Sequence, residues 1–210
     1  MPGYPFSLNN AVDALLKKEF EIYRKRQSSH PLFERFGLRG IIPWSSPKLE
    51  EYRDALRRGI TYKHPEYPFR VFWGLDDIWF NQETGELIVA DYKAASKKGE
   101  LTIDADWQMS YKRQISLYCY LVSKTESLPV SKTAYFVYCN GLTEGKSADR
   151  FGAKLHFEIE LLPYEVQLSW IEPTLKSIHL CLQSDSLPEA SPHCDWCAYV
   201  AARGSVHKLA

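Results

Sequence analysis

The stretch LIVADYKAAS, residues 87–96, runs from four apolar side chains into an acid, a tyrosine and a lysine. Side chains alternate across a β-strand, so Asp91 and Lys93 share one face and Tyr92 takes the other. With a second acid nearby, such a site suits Mg2+ or Mn2+, which prefer carboxylate, carbonyl and water oxygens. The backbone carbonyl of Tyr92 is a further oxygen at the same point. A bound divalent ion lowers the pKa of water and polarises a phosphoryl group, while a lysine steadies the attacking water or the developing negative charge. The chemistry such a set serves is phosphodiester hydrolysis. The bland alternative makes Asp76, Asp77, Asp91 and Lys93 the polar ends of strands, in a surface ion pair worth at most about 1 kcal/mol. Spacing alone does not separate the two.

The second acid is sought in FRVFWGLDDIWF, residues 69–80, which is rich in aromatic and β-branched residues and reads as a strand. The turn NQETGE then joins it to LIVADYKAAS as a hairpin. Trp73, Leu75 and Asp77 share one face of this strand, and Gly74 and Asp76 the other. A flat ladder is expected to put Asp77 and Asp91 toward opposite ends of the hairpin, so their convergence calls for a bend or a bulge, for which Gly74 is the candidate.

Other elements must hold this hairpin. Ser7 can cap a helix from Leu8 whose stripe includes Val12, Leu15, Leu16, Phe20 and Tyr23. An irregular segment with His30, Pro31, Gly37, Gly40 and Pro43 follows. Ser45, Ser46 and Pro47 signal a second helix, KLEEYRDALRR, stopping at Gly59. Residues 62–68 and KKGELTIDADW read as loops. MSYKRQISLYCYLVSKT carries Met109, Ile115, Tyr118, Cys119 and Val122 at helical spacing and is the central helix. TAYFVYCNG and KLHFEIELL read as strands, and residues 163–183 as a closing helix. The expectation is one α/β domain with a central mixed β-sheet flanked by helices: a helical region 7–60, a core 69–183 and a tail 184–210.

Lys plus Arg and Asp plus Glu each number 26, so no net field draws the whole chain to a polyanion, and any such partner must meet a local patch. Candidate patches are Lys17 and Lys18 with Arg24 to Arg26, Arg53 with Arg57 and Arg58, Lys97 with Lys98, and Lys112 with Arg113. No secretory signal pattern or membrane span is read, so a cytoplasmic protein without a membrane partner is expected. Five scattered cysteines do not form a disulfide framework, and only Cys194 and Cys197 are close enough to share a ligand. With Cys181 and His193 they have the ligand types for zinc, but the favoured reading is a metal-free turn.

GLDDIWF, LIVADYKAAS and YKRQISLYCYL, in that order, resemble the motif series of the PD-(D/E)XK nuclease superfamily, closest to its RecB-like branch. That branch is known for G-x-x-D, D-x-K and Q-x-x-x-Y, matched here by Gly74 with Asp77, Asp91 with Lys93, and Gln114 with Tyr118. The resemblance implies a restriction-endonuclease-like core and a metal-dependent nuclease acting on DNA. In it Asp77, Asp91 and the Tyr92 carbonyl bind Mg2+ or Mn2+, Lys93 is the catalytic lysine, and Gln114 and Tyr118 orient Lys93 or the DNA backbone. The chain has no helicase motif, so a helicase or other DNA-processing protein is the implied partner. Many relatives also have a histidine or glutamate on the helix before the hairpin. Glu50 and Glu51 lie on that helix here and His30 and His64 fall in loops, and none is assigned the role. The CRISPR-associated adaptation nucleases hold a [4Fe-4S] cluster on one upstream and three C-terminal cysteines. This chain has no cysteine before Asp77, so that complete cluster is not expected. The rival reading is a catalytically silent binding or assembly module that keeps the fold.

Overall fold

Val12, Leu16 and Phe20 recur every four residues along the first helix, α1 (Ser7–Arg26), and all three are buried. They pack on one face of a five-stranded sheet, against Trp79, Ile88, Ala90 and Tyr92. The computed structural model describes residues 7–144 and 154–207. The remaining elements, in chain order, are α2 (Pro31–Arg35), β1 (Ile41–Pro43), α3 (Leu49–Arg53), β2 (Ile60–Lys63), β3 (Arg70–Trp73), β4 (Asp77–Asn81) and β5 (Leu87–Ala95). After a 3-10 turn at Asp106–Gln108 come α4 (Met109–Thr125), β6 (Thr133–Glu144), β7 (Lys154–Glu165), α5 (Ile171–Gln183) and α6 (Asp195–His207).

The sheet order is β1-β4-β5-β6-β7, with β5 and β6 parallel and the other neighbours antiparallel. A parallel pair needs a crossover, and α4 supplies it. Its buried Ile115, Tyr118, Leu121 and Val122 cover the sheet face opposite α1. The expected α/β architecture, a mixed sheet flanked by helices, is therefore present. Two compact units divide the chain, residues 1–168 with the whole sheet and residues 169–210 with α5 and α6. Among the described residues no helix is long and apolar enough to cross a membrane.

Several elements differ from their sequence reading, each for a local reason. The expected helix to Gly59 stops at Arg53, because the Asp54 carboxylate accepts the Arg57 N–H and bends the chain into a turn. The irregular segment contains the short strand β1, and the loop after Gly59 contains β2. Pro163 does not open a helix: it pairs with Tyr135 in β7, an edge strand where its missing N–H costs no ladder bond, and α5 starts at Ile171. The C-terminal tail holds α6, with its last three residues outside those described.

The strand read across residues 69–80 is two strands. β3 leaves to pair with β2 in a separate ribbon, and β4 begins at Asp77 in the main sheet. Gly74 is at the break, with the turn after α3 lying so close that a Cβ built on Gly74 falls 2.3 Å from the Ala55 Cβ. We therefore expect Gly74→Ala to lower stability by about 1–3 kcal/mol. Because the Ala55 Cα and N would also lie 2.6 and 2.9 Å from that Cβ, Ala55→Gly in the same chain should not recover the loss in urea unfolding.

Candidate active site

The hairpin register decides which acids meet. Phe80 stands opposite Leu87 and Asp77 opposite Ala90, so the start of β4 pairs with the end of β5. The expectation that a flat ladder separates these ends is thus corrected: in an antiparallel pair each step back along one strand is a step forward along the other. No bulge is needed to bring them together. One step beyond the last rung, the residue across from Asp91 is Asp76.

The two adjacent acids face different surroundings. Asp77, opposite Ala90, lies on the α1 face of the sheet and is fully buried. Arg24 Nη2 is 2.5 Å from its Oδ1 and Arg53 Nη2 is 3.1 Å from the same oxygen. The Tyr92 hydroxyl donates to its Oδ2 at 2.7 Å, and the Ile78 N–H to Oδ1 at 2.8 Å. Glu21 accepts from Arg24 Nε at 2.7 Å and Arg53 Nη1 at 2.8 Å, so two arginines face two carboxylates. Burial alone would raise the Glu21 pKa, but the Arg53 and Arg24 hydrogen bonds hold it below the usual carboxylate value. Burial opposes the charge on Arg53 while Asp77 and Glu21 favour it, and its pKa ends raised. Arg24 also donates to the carbonyl of Trp44, and Arg53 Nε to that of Asp76 at 2.9 Å. Arg24 and Arg53, read from sequence as members of DNA-facing patches, are thus buried structural cations.

Asp76 sits on the other side of the hairpin end. Its Oδ2 accepts the Tyr92 N–H at 2.9 Å, and Lys17 Nζ lies 3.4 Å from its Oδ1 and 2.9 Å from Asp13. The N–H and C=O of one strand residue lie on the same edge, so the Tyr92 carbonyl is directed toward this edge as well. Asp91 is fully buried beside it. Lys93 Nζ comes within 2.5 Å of Asp91 Oδ2 as an ion pair, and among the described residues no other donor is placed on either Asp91 oxygen. Burial, reinforced by the like charge of Asp76 and opposed by Lys93, pushes the Asp91 pKa up to about 7. Two carboxylates this close, one of them met by Lys93 alone among the described residues, are a donor set suited to a divalent cation. Among the described residues no three His, Cys, Asp or Glu side chains cluster as a metal site, so water and the Tyr92 carbonyl would have to complete the shell.

Lys93 is held from the α4 side. Its Nζ is 3.3 Å from Gln114 Oε1, and Gln114 Nε2 is 2.5 Å from the Tyr118 hydroxyl. Tyr118 is buried and its pKa is raised, first by desolvation and then by Asp91 and Asp76. Asp76 and Lys93 open into a cleft of about 230 Å³ lined also by Asn10, Asp13 and Leu16 of α1 and Tyr111 of α4. The structure thus brings together Asp91, Lys93, Gln114, Tyr118 and the Tyr92 backbone, and it turns Asp77 away. Asp76 is the acid that the sequence motif passed over; its signal was the parity of the strand once the turn length sets the register.

Other candidates lie elsewhere. His30 and His64, read from sequence as loop residues, are buried, and each accepts hydrogen bonds from nearby backbone N–H groups. His30 Nδ1 accepts the Leu32 N–H, and His64 Nδ1 those of Glu66 and Tyr67. Glu50 pairs with Arg53 at 3.0 Å. Cys194 Sγ accepts the Cys197 N–H at 3.4 Å at the start of α6.

Compared with known proteins, the chain matches the family model of the PD-(D/E)XK nuclease superfamily over residues 10–202, and it belongs to that superfamily. Its mixed sheet with flanking helices is consistent with the restriction-endonuclease-like fold. No curated protein and no solved structure matches it significantly. Membership brings metal-dependent nuclease chemistry, and with it an action on nucleic acid.

Two outcomes follow from the electrostatics. Because the folded chain holds the Asp91 proton above its ordinary pKa of 3.8, the fold loses stability as pH rises from about 4 to 7. Asp91→Asn should flatten that part of the pH–stability curve. Arg24→Ala, which removes one partner of a buried ion pair, should cost roughly 3–5 kcal/mol in denaturant unfolding.

Proposed function

We propose that the chain is a deoxyribonuclease of the RecB-like branch, using Mg2+ or Mn2+ held by Asp76, Asp91 and the Tyr92 carbonyl. The observation that carries this reading is the buried Asp91 carboxylate, met by Lys93 and by no other donor among the described residues, beside the Asp76 and Lys93 side chains that line an open cleft. Asp77 takes the motif position of the metal ligand, but its engagement with two arginines and a tyrosine favours an anchoring role.

The chemistry a divalent cation supplies when bound there is Lewis-acid polarisation of the phosphate and a lowered water pKa. Asp76 and Asp91 would hold it as carboxylates, against the burial and like charge that raise the Asp91 pKa. Lys93, tethered by Gln114, would present its ammonium to the attacking water or to the phosphate oxygens. Gln114 accepts from Lys93 and is itself held by Tyr118, which fixes the ammonium without competing for the substrate. Lys17 is positioned to neutralise phosphate at the α1 side of the cleft. Lys97 with Lys98, and Arg113, are the patches near the site that face solvent and suit DNA backbone contacts. We take residues 1–210 as one nuclease-like domain, working with a helicase or another DNA-processing protein.

Cleavage of labelled DNA with Mg2+ or Mn2+ tests the reading. Asp76→Ala, Asp91→Ala and Lys93→Ala should each reduce cleavage at least about a hundredfold. Mn2+ should raise the melting temperature of wild type and leave that of Asp76→Asn or Asp91→Asn unmoved. Pure wild type that binds DNA and never cleaves it would instead make this a non-cleaving module.

A further inference from the structure

A lysine stands on each of the two acids proposed as metal ligands. Lys93 Nζ meets Asp91 Oδ2 at 2.5 Å, and Lys17 Nζ meets Asp76 Oδ1 at 3.4 Å. The two lysines differ in what else holds them. Lys93 is tied to neutral groups: Gln114 Oε1 of α4 is 3.3 Å from its Nζ, and the centre of the Tyr111 ring 4.4 Å. Lys17 is held by a third carboxylate instead, that of Asp13 one turn earlier on α1, at 2.9 Å. Its ammonium is thus shared between α1 and the end of the hairpin, and it lies nearer to Asp13.

The Lys17, Asp13 and Asp76 side chains are 26%, 38% and 25% exposed, whereas those of Arg24 and Asp77 are 7% and 0% exposed. An ion pair this open to water is weak and is readily exchanged for another. Asp76 itself is fixed, because its Oδ2 accepts the Tyr92 N–H at 2.9 Å; Oδ1 is the oxygen that Lys17 meets. Like charges on one carboxylate repel, and at a contact this short salt does little to screen them. The Lys17 ammonium therefore lowers the affinity of Asp76 for any other cation, and Asp13 relieves that effect by drawing the ammonium toward α1. Asp13 and Asp76 both line the cleft. Among the described residues no three acids, histidines or cysteines cluster as a metal site, so Asp13 is not placed as a third ligand beside Asp76 and Asp91.

We propose that Lys17 sets the divalent-cation affinity of this site by competing for Asp76, and that Asp13 tunes the competition by holding the same ammonium away. The inference rests on the reading of Asp76 and Asp91 as metal ligands, and it concerns an affinity measured without DNA or cleavage. Mn2+ is titrated into the full-length, metal-free chain at about pH 8 and about 0.15 M salt, where charges beyond about 8 Å are screened. Free Mn2+ is read by electron paramagnetic resonance. Lys17→Met, which keeps the length of the side chain without its charge, should bind Mn2+ about three- to tenfold more tightly than wild type. Lys17→Arg, which keeps the charge, should stay within about twofold of wild type. Asp13→Asn leaves the ammonium to Asp76 alone and should weaken Mn2+ binding about three- to fivefold; in the Lys17→Met background it should change the affinity less than about twofold. Equal affinity in wild type and Lys17→Met overturns the proposal. So does an Asp13→Asn loss of the same size in both backgrounds, which would make Asp13 a metal ligand in its own right. Asp76→Asn and Asp91→Asn in the same titration test the ligand reading separately. If neither weakens Mn2+ binding, that reading fails and the role of Lys17 falls with it; if both do and Lys17→Met has no effect, only the role of Lys17 is lost.

Discussion

The buried Asp77 carboxylate, shared by Arg24 of α1, Arg53 of α3 and the Tyr92 hydroxyl of β5, is the contact on which the site depends. Taking two guanidinium groups and a carboxylate out of water is expensive, and only a fully bonded arrangement offsets it. Glu21 completes the arrangement by accepting from both arginines. The result ties α1 and α3 to the open end of the β4–β5 hairpin. Neither helix could shift without stranding a buried charge, so the α1 wall of the cleft is held in register with the hairpin end.

That anchor also decides the geometry of the neighbouring acid. With Asp77 drawn toward α1, Asp76 emerges on the other side of the chain, where it meets the Tyr92 N–H and the end of β5. Two consecutive aspartates therefore do opposite jobs: one is saturated with donors and holds the fold together, the other borders an Asp91 met by Lys93 alone among the described residues. The pair Asp76 and Asp91 is unfavourable by itself, since burial and like charge work against ionisation. A fold that keeps such a pair concentrates its unmet electrostatic demand at one point, and the stability comes from elsewhere: the aromatic packing of Phe20, Phe33 and Trp79 on the α1 face and the buried stripe of α4 on the other.

Much of this architecture was legible from local pattern. The helical stripes of α1 and α4, the turn NQETGE and the alternation in β7 are properties of short windows, and each of these elements is present. What the windows missed depends on distant partners. Residues 69–80 look like one strand because every residue suits a sheet; only the close approach of Ala55 to Gly74 shows where the chain must part between two sheets. Pro163 suggests a helix start until β6 is seen beside it, leaving β7 at the sheet edge. Arg24 and Arg53 look like surface cations among other surface cations, because nothing in a basic run says which member turns inward.

Sequence by itself determined the chemistry on offer: an acid and a lysine on one face of an apolar strand, a Gln and a Tyr one turn apart on the next helix, and two acids in a row at the start of the preceding strand. Those follow from residue type and from the fixed periods of strand and helix. Which of the two acids joins Asp91 was a tertiary matter. It required the rung that sets Asp77 against Ala90, and the arginines, Arg24 and Arg53, 53 and 24 residues before Asp77, that claim one carboxylate and leave the other to the cleft. Adjacent residues on a strand differ only in the side they face, and that side acquires meaning only once the two sheet faces have been given to different helices.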